Sequence, residues 1–330
     1  MKAAYLVQTG PATNIVYGDL PEPTPQGSQV RVRVKAVAVN PIDTYIRSGL
    51  VKMDLPNPFI IGCDLAGVVD AVGPAVTRFE PGDRVWGSNQ GLLGRQGTFA
   101  ELVCVDECWL YPTPKSVTNE DAAAIALVGI TAHLGLFHHA NLKRGQSIMV
   151  HGGSGGVGST VIQMAKATGA KVVATGRNDA KLALCRELGA DHVINYQTQD
   201  IAAEVKRIQP GGVNVWWETI REPDFDLAVT CLASRGRMIL MAGREARPPF
   251  PVGPFYVKGC SLHGFVMFMA HPDDQHDAAD DINTWMAAGK LKPRIDRVLT
   301  LAEASLAHQI QEDNTMEKSG VLSGKIVLRV

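Results

Sequence analysis

The residues with the plainest chemical use are the glycines of HGGSGGVG, His151 to Gly158. Gly153, Gly155 and Gly158 have the GxGxxG spacing, directly after the apolar run SIMVHG and at the start of a helical stretch that ends near Gly169. In a strand-turn-helix setting each glycine has a task. One permits the tight turn, one lets a pyrophosphate approach the backbone, and one lets the helix pack on the strand. Ser154, Gly156 and Val157 complete the loop, and a helix start offers unpaired N–H groups and a positive dipole end to phosphate oxygens. The pattern predicts a dinucleotide site. A flexible glycine loop without a ligand is the competing reading, and the flanking strand and helix count against it.

A second group of residues bears on which dinucleotide. A carboxylate about 20 positions on, at the end of the second strand, would hold the ribose 2′-OH of NAD. Here that strand ends in Thr175, Gly176, Arg177 and Asn178, with Lys181 one helical turn later and no carboxylate before Asp179. Arg177 and Lys181 suit a 2′-phosphate through charge-assisted hydrogen bonds. The expected cofactor is therefore NADPH, with Arg177 as a solvated surface cation the alternative.

These residues need elements to hold them. From about Asp121 strands and helices alternate: the helix DAAAIALVGITAHLGLF, the strand Ser147 to Gly152, the helix from Gly156, then KVVAT, the helix Asp179 to Leu188, and DHVINY. The helix Ile201 to Ile208, VNVWWET, the helix Phe225 to Ala233, GRMILMAG and SLHGF complete the series. Gly169 and Gly189 mark helix ends. Such alternation implies right-handed βαβ units on a doubly wound parallel sheet, an α/β fold, over 123–266. Residues 1–122 differ: short β-branched runs such as VRVRVKAVAVN and AGVVDAVG, with close turn signals, read as a mostly antiparallel β domain. The tail, 267–330, ends in the strand GKIVLRV, expected to rejoin that first domain.

Bulk properties agree with two domains, because 330 residues are too many for one compact core. The net charge is −1 with no dense Lys/Arg stripe, so no nucleic-acid partner is expected. MKAAYLVQTG lacks an apolar signal region, and uninterrupted apolar runs fall short of the ~20 residues that cross a bilayer, so no membrane partner is expected. Six scattered cysteines fit reduced thiols and a cytoplasmic location.

Taken together, HGGSGGVG, NPIDTYIRSG (Asn40 to Gly49), GCDLAGVVDAVG (Gly62 to Gly73), GDRVWG, the triplet Ile130 to Ala132 and GKIVL resemble, in order and spacing, the zinc-independent medium-chain dehydrogenases/reductases of the quinone oxidoreductase (zeta-crystallin-like) family. The resemblance implies a GroES-like catalytic domain in two chain segments around a Rossmann domain, and a homodimer or homotetramer pairing through the last Rossmann strands. It also implies reduction by NADPH of a small-molecule acceptor, a quinone or another conjugated carbonyl. An alkenal or enone double-bond reductase is the alternative, as is an NADPH-binding sensor or scaffold without turnover. Zinc-dependent relatives carry a Cys where this chain has Asn40 and a His-Glu pair where it has Cys63-Asp64, so no metal is expected.

The same resemblance places Asn40, Asp43 and Tyr45 beside the nicotinamide and acceptor, with Tyr45 as a phenolic donor to an oxyanion. Thr131 matches a threonine near the nicotinamide, and Phe265 lies where backbone groups hold the carboxamide. Asn40 as a turn residue before Pro41 and Tyr45 as a packed helix aromatic are the competing readings. Two features depart from the family. Related quinone and enoyl reductases often have a tyrosine two residues after the SG of the NPIDTYIRSG loop, where this chain has Val51, which weakens an enoyl-thioester reading and takes some support from the quinone one. Trp216-Trp217-Glu218 replaces the usual acidic-x-x-Gly, and PPFPVGPFY (Pro248 to Tyr256) reads as a loop, either a lid or a rigid connector.

Overall fold

The computed structural model describes residues 1–317 and 320–330. The chain forms two compact units: Met1–Leu127 with Ala279–Ala287 and Lys292–Val330, and Val128–Ala278 with Ala288–Leu291. The divisions fall somewhat later along the chain than the changes of sequence texture.

In chain order the first segment holds β1 (Lys2–Leu6), β2 (Val16–Asp19), β3 (Gln29–Val39), α1 (Pro41–Ser48), β4 (Phe59–Ile60), β5 (Leu65–Val72), β6 (Arg84–Gly87), β7 (Leu102–Asp106), β8 (Leu110–Pro112) and α2 (Asn119–His133). β3 organises this unit. Its VRVRV half alternates, with Val30, Val32 and Val34 buried and Arg31 and Arg33 turned outward, where both reach Asp70 of β5 at 2.6 Å. From Ala36 to Val39 every residue is buried, because a third strand lies along this half.

The second unit runs through β9 (Ser147–His151), α3 (Gly156–Ala167), β10 (Lys171–Gly176), α4 (Asp179–Glu187), β11 (His192–Asn195), α5 (Ile201–Ile208), β12 (Val213–Glu218), α6 (Phe225–Cys231), β13 (Leu232–Leu240), α7 (Val252–Val257) and β14 (Ser261–Gly264). Its six strands are parallel in the order β11-β10-β9-β12-β13-β14, a doubly wound sheet whose chain direction across the sheet reverses between β9 and β12. Ligands of such sheets bind beyond the strand carboxyl ends at that reversal, which is where HGGSGGVG leaves β9. Met149, Val173, Trp216 and Met238 fill the core on one face. Gly169 and Gly189 have φ of +83° and +106°, the left-handed residues that end α3 and α4.

The chain then returns through α8 (Pro272–Ala287), β15 (Ile295–Thr300), α9 (Ala304–Met316) and β16 (Lys325–Arg329). β16 pairs antiparallel with β3, Ile326 opposite Val39, and completes a seven-stranded sheet of the first unit. The terminal GKIVLRV strand therefore joins the sheet it was expected to join.

Three local readings are corrected. α6 ends at Cys231, not Ala233, because Leu232 is already paired with Val213 as the first residue of β13. PPFPVGPFY is not all loop: α7 starts at Val252 after Pro251, and Pro254 fits its first turn, where no donor is needed. α2 runs on through a π-helical turn, Leu134–His139, giving a 21-residue apolar helix long enough by composition to cross a membrane. Uninterrupted runs understated its length. With 78% of its apolar window buried in the protein, it is equally what a core helix would be.

Candidate functional site

In the second unit the loop after β9 is held from below. Gly152 N donates to Thr175 Oγ1 (2.9 Å) and Gly153 N to Thr175 O (3.1 Å), so β10 fixes the turn out of β9. Gly152 has φ +93°, and a Cβ there would lie 2.1 Å from Thr219 Oγ1. A Cβ on Gly158 would lie 2.3 Å from Gly152 O, so helix and turn approach more closely than any other residue allows. Gly155 is different: its nearest neighbour would be 3.7 Å away, which leaves room above it. Gly156, Val157 and Gly158 open α3, and their N–H groups precede any intrahelical acceptor. Ser154 sits on the same turn. The fold thus brings all six loop residues to one helix N-terminus.

The end of β10 is beside it. Asn178 caps α4, its Oδ1 accepting from Lys181 N (3.0 Å), so this side chain has a structural duty of its own. Arg177 is half-buried, and no ion pair engages it among the described residues. Gly176 packs under Leu182 and Lys181. Tyr196, which sequence reasoning passed over, follows β11: its N–H donates to Gly176 O (3.3 Å) and its ring stands edge-on to His151 at 6.4 Å. Its only sequence signal was an aromatic at a strand carboxyl end.

Glu218 is fully buried at the end of β12, accepting from Trp216 Nε1 (3.0 Å) and Ile220 N (2.7 Å), with His151 Nδ1 at 3.0 Å. It braces the strand end from which the glycine loop departs. Thr131 is buried in α2. Phe265 follows β14 and stacks on His139 at 4.5 Å, near Gly135 and Trp217.

In the first unit, Asn40 caps α1 and is fully buried. Its Nδ2 donates to Asp64 Oδ2 (2.7 Å), and its Oδ1 accepts from Lys325 Nζ. Asp43, 3% exposed, reaches back to accept from Asn40 N (2.7 Å), while its Oδ1 has no hydrogen-bond partner. Burial, with Asp64 nearby, raises the Asp43 carboxyl to about 7; the Cys63 thiol against it, Asn40 N and Lys325 oppose the rise. Asp64 is fully buried and also takes Ser88 Oγ (2.7 Å). Tyr45, one residue into the second half of α1, is only half-buried. Of the three expected side chains, Asn40 and Asp43 are brought together and committed inside, and Tyr45 alone reaches solvent. Lys325, Asp64 and Ser88 are the members that sequence reasoning missed as a set.

This donor set differs from the one that holds zinc in zinc-dependent relatives. At its three positions stand an amide, a thiol and a carboxylate, with an ammonium hydrogen-bonded to the amide and 3.9 Å from the carboxylate. A cation already in place repels a dication, and no group of three His, Cys, Asp or Glu converges among the described residues. The residues do not fit zinc.

A glycine loop at the switch point of a doubly wound sheet, joined to a GroES-like antiparallel unit, defines a nicotinamide-dinucleotide oxidoreductase. Residues 26–115 match the family model for the alcohol dehydrogenase GroES-like domain, and residues 156–284 match that for zinc-binding dehydrogenase. The quinone oxidoreductase of Sus scrofa is 31% identical over 303 residues, 91% of this chain and 90% of that one. The 2-haloacrylate reductase of Burkholderia sp is 29% identical over 321 residues, 93% and 94% of the two chains. Among solved structures, an NAD-dependent alcohol dehydrogenase superposes with TM-score 0.89 at 31% identity, and the Escherichia coli quinone oxidoreductase complexed with NADPH with TM-score 0.87 at 25% identity, each over all of both chains. The chain belongs to the medium-chain dehydrogenase/reductase family, in its quinone oxidoreductase group.

Proposed function

We propose that the chain reduces a conjugated carbonyl, a quinone in the first place, with NADPH and without a metal ion. The observation that carries the cofactor half is the end of β10: Gly176, Arg177 and Asn178, with Lys181 one helical turn later and no carboxylate before Asp179 to hold a 2′-OH or repel a 2′-phosphate. The N–H groups of Gly156, Val157 and Gly158 bind the pyrophosphate, with Gly155 leaving it room and Ser154 at the rim. Arg177 and Lys181 take the 2′-phosphate as charge-assisted donors. Thr131 and the backbone at Phe265 hold the nicotinamide end. The cofactor supplies the hydride. Tyr45 donates to the acceptor oxygen as negative charge develops there. Asn40 and Asp43, buried beneath it, hold the start of its helix.

The 2-haloacrylate reductase among the relatives favours a second acceptor class, the activated double bond of an alkenal, enone or 2-substituted acrylate. Self-association fits the edge of the second unit: β14 is an outer strand, and Tyr256, Val257, Leu262 and Val266 leave an apolar border along it. A second copy pairing there gives the homodimer.

The test is NADPH and NADH oxidation by chelator-treated protein with 1,4-benzoquinone, 9,10-phenanthrenequinone, an alkenal and a simple aldehyde. Chelator-resistant turnover of quinone or alkenal with NADPH is expected. Arg177→Ala with Lys181→Ala should raise KM for NADPH about 10-fold or more and leave that for NADH unchanged. Preference for NADH, or loss of activity on chelation, contradicts the reading; NADPH binding without turnover would favour the sensor or scaffold.

A further inference from the structure

Lys325 opens β16 one step along the ladder from the Ile326–Val39 pair, which sets it opposite Asn40. Its side chain turns inward, with the residue 5% exposed, and Nζ donates to Val39 O (2.9 Å) and to Asn40 Oδ1. Burial pushes the ammonium's pKa down, and Asp64, Asp43 and Cys63 around it hold it up. Stability alone gives little reason for such an arrangement. Taking an ammonium and a carboxylate out of water is costly, and apolar residues of the same shape often hold a fold as well or better.

What the charges achieve is orientation. The Asn40 amide is gripped at both ends, Oδ1 by the ammonium and Nδ2 by Asp64, so it cannot flip. Its backbone N–H is held by Asp43 and its carbonyl by Asp43 N (3.1 Å). Asp64 in turn is pinned by Ser88 Oγ, and its carbonyl by Thr98 Oγ1 (2.8 Å). Every polar group of Asn40 is thus spoken for at the residue from which α1 starts, and Tyr45 lies on that helix.

We propose that Lys325 is a positioning residue of the reductase: its ammonium locks Asn40, and through it the start of α1, in the orientation that Tyr45 needs. One internal charge thereby orders the positions that carry metal ligands in zinc-dependent members. The proposal rests on the reductase reading above.

Lys325→Met alone strands the Asp64 carboxylate, so the informative variant is Lys325→Met with Asp64→Asn, which removes both members of the pair. Its melting temperature should return close to wild type and KM for NADPH should be unchanged. The kcat should fall at least tenfold, and amide hydrogen exchange over residues 40–46 should accelerate at least tenfold. Asn40→Ala, which keeps both charges and removes only the gripped amide, should reproduce the loss of kcat with KM for NADPH unchanged. Wild-type kcat and exchange in the double variant overturn the proposal, as does wild-type kcat in Asn40→Ala. If the double variant does not fold, wild-type kcat in Asn40→Ala still overturns the proposal. If the wild-type protein turns over no quinone or enone, the reductase reading fails by itself, and exchange over residues 40–46 in the double variant still decides whether Lys325 orders this turn.

Discussion

Asp43→Asn should stabilise the first unit at alkaline pH, an unusual direction for removing a buried charge partner. The Asp43 carboxyl moves from an ordinary 3.8 to about 7 on folding, chiefly through burial. A carboxyl whose pKa is raised in the folded state binds its proton more tightly there than in the unfolded chain. The wild-type protein therefore loses stability as pH rises from about 4 to about 7, and the loss levels off above that. At about 1.4 kcal/mol per pH unit the full loss is about 4 kcal/mol, of which roughly 3 kcal/mol falls between pH 5 and pH 8. An asparagine at 43 can still accept from Asn40 N and carries no such titration. The variant should gain roughly 3 kcal/mol on wild type at pH 8 relative to the difference at pH 5. Urea unfolding at the two pH values measures this, with native-state amide exchange in β3 reading the first unit alone, because two units need not unfold together. Titrating groups away from Asp43 are common to both proteins and cancel, while Asp64, Cys63 and Lys325, which face it, titrate together with it. Parallel stability profiles for variant and wild type between pH 5 and 8 would refute the assignment of the shifted group to Asp43.

Other outcomes follow from the same geometry. Tyr45→Phe should lower kcat by about 100-fold, the range for losing one donor to a developing oxyanion, with the NADPH dissociation constant unchanged by fluorescence titration; an unaffected kcat removes Tyr45 from the chemistry. Gly155→Ala meets no close atom, so it should fold normally yet weaken NADPH at least 10-fold, because the methyl group fills the space left for the pyrophosphate. Gly158→Ala, whose Cβ would meet Gly152 O at 2.3 Å, should lower both NADPH affinity and the melting temperature of the second unit. Normal NADPH affinity in Gly155→Ala would mean that the loop is not the phosphate site. Tyr256→Glu with Val257→Glu should shift light-scattering mass from dimer to monomer without changing the circular dichroism spectrum, and a monomeric wild type would end that reading.

The sequence disclosed what is local. HGGSGGVG could be read because turn, close approach and helix start all lie within eight consecutive residues, and the helix ends at Gly169 and Gly189 because a left-handed residue is written as glycine. The alternation of strands and helices in the second unit was legible for the same reason. What stayed hidden depends on partners far along the chain. Leu232 looks helical until Val213 takes it into a parallel ladder, and the start of α7 is masked by the prolines around it. Asn40 and Asp43 were found by resemblance, yet nothing local said that both would be enclosed. Asn40's two side-chain partners lie 24 and 285 residues away, and no spacing rule reaches across such distances.

That long reach has a consequence for how the molecule is made. The second unit has all its strands once Gly264 has left the ribosome, and domains generally fold as units during synthesis, the N-terminal first. Here the usual order is reversed: the first unit, though begun at Lys2, waits with an exposed flank on β3 and an Asp64 lacking its counter-charge until β16 arrives. The interval is the time needed to translate the whole nucleotide-binding unit, tens of seconds at bacterial-to-eukaryotic speeds of about 5–20 residues per second. During it the unpaired edge of β3 is the surface a chaperone would need to guard, and a nascent chain stalled before Lys325 should be the species that aggregates.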